Sequence, residues 1–240
     1  MPKELVTGGN FALKRIGIEG PPIANTKFAT FFGDGTLNTK DSTNLVAGSA
    51  GGTTFSNVGS GPVLAPAYGT FTPATNGMST GMGDNVNGWC FLFVGAAPQV
   101  TFATVARLSG TIITWGTGQA LNVISGVAMQ GGGTIPSLAA RPAFPTQRMY
   151  ALVVPLGAQA KLYDLTSGDS STSPTNVNAT SRPTAGNWEI GPTTPSGGSF
   201  VNPCRVSFAF GAWSAPTLTD LNALAAALRP TLAARGIAGV

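Results

Sequence analysis

Apolar and polar positions alternate most clearly near the end of the chain. Cys204, Val206, Phe208 and Phe210 alternate with Arg205, Ser207, Ala209 and Gly211. That period of two predicts a half-buried strand with the first four residues on its apolar face. After Ser214-Ala215-Pro216 the period lengthens. Leu218, Leu221, Leu224, Ala225, Leu228 and Leu232 recur at three- and four-residue steps, which predicts an amphipathic helix over about 217–236. Thr219 is the expected N-cap, Asp220 suits the positive end of the helix dipole, and Arg235-Gly236 is the expected stop. Pro230 is expected to kink this helix or to start a second turn.

Upstream, everything reads as strand and turn. Lys27–Phe32 is a short strand, and Gly33–Gly61, rich in Gly, Ser, Thr and Asn, reads as loops. Trp89–Val94 and Met149–Val154 are apolar on both faces, as central strands are. Phe102–Leu108, Thr111–Trp115, Leu121–Gln130, Lys161–Leu165 and Trp188–Gly191 are further strands, each ended by turn residues. Asp169–Thr184 reads as a long polar loop. Short strands at regular spacing with Gly and Pro punctuation predict an all-β sandwich or barrel. Residues 1–26 carry few apolar positions before Gly20-Pro21-Pro22 and read as an N-terminal arm on a domain spanning 27–240.

Composition narrows the function. The chain has 240 residues, of which 42 % are hydrophobic and only 9 % charged, far below the usual charged share of about 25 %. Such a surface is wetted by hydroxyls and amides. With the arm, it predicts a homo-oligomer or a place in a larger assembly. The net charge of +4 comes from scattered basic residues with no cluster, which argues against nucleic acid as a partner. The start has no apolar signal core, and no run approaches the length of a membrane span. Cys90 and Cys204 lie in strand-like runs and are expected to be buried free thiols, with a disulfide as the alternative.

The order of motifs resembles the concanavalin A-like and laminin-G-like jelly rolls. Tyr150–Val154 is followed by Leu162-Tyr163-Asp164, then Glu189-Ile190-Gly191, then Val206–Trp213, then Leu218-Thr219-Asp220-Leu221-Asn222-Ala223-Leu224. Leu165-Thr166 stands where this family usually has an Asp-Gly turn, and Asn222 stands near its usual Glu. The tail from Leu224 to Ile237 is similar to the endings of lectin-like structural proteins of tailed bacteriophages and prophages. The resemblance implies a concanavalin A-like jelly-roll sandwich with a closing C-terminal helix. It also implies a virion protein of tail, baseplate, fibre or head decoration, made in the bacterial cytoplasm. Its partners would be other virion proteins and a host surface glycan. A dedicated carbohydrate-binding adhesin and a glycan hydrolase are the alternatives.

The residue inventory disfavours catalysis. There is no histidine, which removes Ser-His-Asp and Cys-His chemistry and the commonest metal ligand. No metal or cofactor is expected. A glycosidase needs two carboxyls flanking the bond. Among nine acids, Glu189 and Asp164 are the remaining candidates for such a pair, and each also reads as an edge or turn residue. Sugar recognition needs an aromatic platform beside amides or carboxylates. Trp115 with Asn122, Tyr163 with Asp164, and Trp188 are the candidate glycan-binding residues, with core or rim packing the ordinary alternative for each. Trp89 and Trp213 read as core or helix-packing residues.

Overall fold

The structure is a computed structural model that describes residues 23–38, 42–45, 52–72, 76–83, 88–96, 101–104, 111–115, 121–124, 137–138, 145–155, 157–176, 188–190 and 204–240. Most of the expected arm lies outside them. The strands in chain order are β1 (Thr26–Phe31), β2 (Ser56–Gly59), β3 (Val63–Ala65), β4 (Tyr68–Phe71), β5 (Asn76–Ser79), β6 (Trp89–Ala96), β7 (Thr101–Thr104) and β8 (Thr111–Trp115). They continue as β9 (Leu121–Ile124), β10 (Ser137–Leu138), β11 (Arg148–Val154), β12 (Gln159–Asp164), β13 (Ser170–Asn176), β14 (Trp188–Ile190) and β15 (Cys204–Ala212). One helix, α1 (Leu218–Ala234), closes the described chain. The first sheet runs β13-β12-β11-β6-β15-β4-β3, with β1 also on β15, and the second runs β10-β9-β8-β7-β14-β5-β2. All described pairings are antiparallel. This is an all-β jelly-roll sandwich with a C-terminal helix.

The first sheet is the middle layer, and β6 shows why its sequence is apolar throughout. Trp89, Phe91 and Phe93 enter the core between the sheets, with Met78 and Ile190 from the second sheet. Cys90, Leu92 and Val94 point the other way, into a second core beneath Leu221, Leu224, Ala225, Leu228 and Leu232 of α1. A strand with both faces covered has no position left for polar alternation.

The single apolar face expected for β15 is corrected. Val206 lies in the core between the sheets, whereas Phe208 and Phe210 lie in the core under α1. A bulge at Ser207 causes the switch. Val206 pairs with Gly95 and Phe208 with Val94, so one extra residue stands on β15 and inverts the faces beyond it. Ser207 is fully buried and its hydroxyl donates to Gln147 Oε1 at 2.7 Å. The bulge also marks where β15 changes partner, from β4 at 204–206 to β1 at 208–212. The Ser207 carbonyl, at the junction, accepts from the Phe32 amide at 2.9 Å. Opposite Phe28, Gly211 is required by space, because a Cβ there would overlap the Phe28 ring.

The helix is capped two residues earlier than expected. Thr217, not Thr219, is the N-cap. Its hydroxyl accepts from the Asp220 amide at 3.2 Å, and the Asp220 carboxylate accepts from the Thr217 amide at 2.9 Å. This reciprocal capping box satisfies two otherwise unpaired donors, and the Thr217 hydrogen bonds hold the Asp220 carboxyl below its ordinary 3.8. The end agrees with the expected stop. Gly236, at φ +80°, follows the Arg235 cap, Ile237 N–H donates to Leu232 O at 2.9 Å, and both apolar side chains join the core. That is a Schellman motif with its hydrophobic contact. Pro230 lies inside α1 on its exposed side, and Ala226, whose carbonyl loses its donor, is exposed as well. Arg235 stacks over Phe31 and donates to Phe32 O at 3.2 Å, which ties the helix end to β1.

Other expectations change at the edges. β13 replaces the first part of the expected polar loop, because its backbone completes a ladder with β12 that needs no apolar pattern. β2 arises within the expected loop region 33–61. Ile23 packs into the helix-side core, ahead of the expected domain start. Cys90 is a buried free thiol whose pKa burial raises. Cys204 cannot pair with it, since Cys90 sits opposite Ala212, eight residues along β15, or roughly 26 Å at strand spacing.

Two outcomes test this packing. Leu224→Ala should cost about 2–5 kcal/mol in chemical denaturation, because Leu224 is fully buried between α1 and the sheet; an unchanged midpoint would show that the stripe is not core. The lowered Asp220 pKa gives a second test. Its stabilisation is present above the unfolded carboxylate value and is lost as pH falls through the lower folded value. Acid unfolding below about pH 4 should therefore be less steep in Asp220→Asn than in the wild type.

Candidate functional site

The five residues expected to bind sugar do not share one surface. Tyr163 and Asp164 are neighbours on β12, and neighbours on a strand face opposite ways. Tyr163 packs half-buried on the helix-side core, where burial and then the Cys90 thiol raise its phenol pKa. Asp164 is 1 % exposed. Its carboxylate accepts from Arg148 Nη1 at 2.6 Å, the Thr166 amide at 2.9 Å and the Ser167 amide at 3.0 Å. These contacts fold the β12–β13 turn, and Thr166 Oγ1 latches it to β11 by accepting from the Met149 amide at 2.8 Å. Leu165 is buried in the helix-side core. That explains Leu165-Thr166 in place of Asp-Gly: one residue anchors the turn, the other latches it, and Gly168 at φ +85° supplies the left-handed step.

Trp115, Asn122 and Trp188 belong to the second sheet, where the structure describes their backbone positions. Trp115 pairs with Val123, so Asn122 occupies a position of the opposite face. Trp188 pairs with Thr104 on β7. Glu189 stands on β14 in the second sheet, whereas Asp164 stands on β12 in the first.

Three further acids hold local structure. Asp220 caps α1, Asp34 accepts from the Thr36 amide at 2.9 Å, and Asp169 accepts from the Ser167 hydroxyl at 2.9 Å. Among the described residues no three His, Cys, Asp or Glu side chains gather as a metal site needs.

Two aromatic–cation pairs lie at the rim, and sequence pattern pointed to neither as a site. Arg205 places its guanidinium 4.7 Å from the Tyr68 ring centroid, and both residues are half-buried. Arg205 is opposite Thr70 on β4, on the outer face of the first sheet beyond the helix-covered part of β15. Val63, opposite Thr70 on β3, is 64 % exposed beside them.

The second pair is at the far end of β15. Lys27 Nζ sits 3.9 Å from the Trp213 ring centroid. Trp213 packs against the core between the sheets, as its expected core role implies, and its indole N–H donates to Gly83 O at 2.9 Å. The available signal was a lysine inside TKFATF, whose six residues are all buried.

Asn44 fixes the Lys27 backbone. Its Nδ2 donates to Lys27 O at 3.0 Å and to Thr53 O at 2.6 Å, while its Oδ1 accepts from the Ala29 amide at 3.2 Å. Leu45 N–H to Ala29 O, Ser42 N–H to Phe31 O and Thr53 N–H to Lys27 O complete the row. A loop thus takes the place of a strand along the edge of β1 that faces away from β15.

Solved structures of other proteins share this fold. The chain is similar to botulinum neurotoxin type C, whose uptake into cells depends on interaction with two ganglioside molecules, at a TM-score of 0.60 and 10 % identity, covering 85 % of this chain and 51 % of that one. It is similar to a Trypanosoma rangeli sialidase mutant with trans-sialidase activity, at 0.59 and 8 %, covering 83 % and 32 %. It is also similar to the binding domain of a botulinum neurotoxin DC in complex with rat synaptotagmin II, at 0.59 and 9 %, covering 85 % and 52 %. The chain spans about half the length of the neurotoxin chains and a third of the sialidase. At these identities the likeness is one of fold. No family model and no curated protein matches the chain.

If Asp164 is a turn clasp, Asp164→Ala should lower stability by about 1–3 kcal/mol, since Arg148 and two amides lose their acceptor. Ligand retention on a glycan column should be unaffected at temperatures where the variant is folded. Lost retention at unchanged stability would make Asp164 a ligand contact instead.

Proposed function

We propose that this chain is a non-catalytic, lectin-like binding module of a bacteriophage virion structural protein, attached to the particle in several copies and presenting its sandwich to a host surface glycan. The observation that carries the binding reading is the distribution of charge at the rim. Half-buried aromatic rings are coupled to cations, at Tyr68–Arg205 and Trp213–Lys27, while the carboxylates of Asp34, Asp164, Asp169 and Asp220 are engaged in turns and a helix cap. Aromatic faces with polar groups beside them suit the apolar C–H faces and hydroxyls of sugars. A shared fold with a ganglioside-dependent neurotoxin and a sialidase supports glycan as the ligand class.

The virion role rests on the motif order and on the tail from Leu224 to Ile237. The hydrolase reading fares worse. A glycosidase sets two carboxyls about 5–9.5 Å apart across the bond, whereas Asp164 is buried in a turn of one sheet and Glu189 is on the other.

The test is incubation with host surface polysaccharide, assayed for retention and for new reducing ends. Retention without new reducing ends is expected. Turnover that vanishes in Glu189→Gln or Asp164→Asn would overturn the non-catalytic reading, and failure to retain any glycan would overturn the lectin-like one.

A further inference from the structure

We draw no further inference here: the strongest candidate, the uncharged outer face of α1 on which Thr219, Asn222, Ala226, Pro230 and Ala233 are exposed, is an unpartnered surface patch, and nothing in the structure shows what covers it.

Discussion

The constraint on which the rest of the structure depends is the double burial of β6. An apolar strand with two apolar faces cannot stand at the surface of a two-layer sandwich, so it requires a third layer. The second sheet covers Trp89, Phe91 and Phe93, and α1 covers Cys90, Leu92 and Val94. The helix is therefore a structural necessity rather than an appendage, and its caps and Arg235 anchor serve to keep it seated. Because β15 and β11 flank β6 directly, they share the same three-layer environment, and both carry large apolar residues on both sides.

From that constraint follows the work of the bulge at Ser207. β15 must fill the core between the sheets at Val206 and the helix-side core at Phe208 and Phe210. One inserted residue lets a single strand change allegiance halfway, and it does so where the neighbouring strand changes from β4 to β1. The same strand ends at Ala212, and Trp213 directly after it brings an indole within reach of Lys27. Core packing and the candidate glycan surface are thus set by one strand.

Much of this was legible in the sequence. The two-sided apolar runs of β6 and β11, the period of α1 and its stop at Arg235-Gly236 follow from burial and local chemistry alone. The face inversion in β15 was not, because a bulge leaves the alternation of residue types intact while reversing what it means. Thr217 was missed as a cap because Thr219 offers the same hydroxyl, and the choice depends on which threonine has Asp220 three residues on. β13 was invisible, since its strand character lies in backbone pairing with β12 rather than in side-chain pattern. The candidate site was the least legible part. Tyr163 and Asp164 looked like a platform with an acceptor but are separated by the pleat. Lys27 and Trp213, 186 positions apart in the chain, meet only through β1 and β15 pairing.

The loop laid along β1 has a consequence for crowding. Through Asn44, Leu45, Ser42 and Thr53 it occupies hydrogen-bonding groups that an exposed strand would offer to any passing chain. At one border of the same sheet, β3 is bracketed by Pro62 and Pro66, and at the other β13 contains Pro174. A protein guarded in this way can be held at very high local density, copy beside copy, without its first sheet zipping onto that of a neighbour. Contacts between copies are then left to side chains, so their strength can be tuned residue by residue without risk of fibre formation through this sheet.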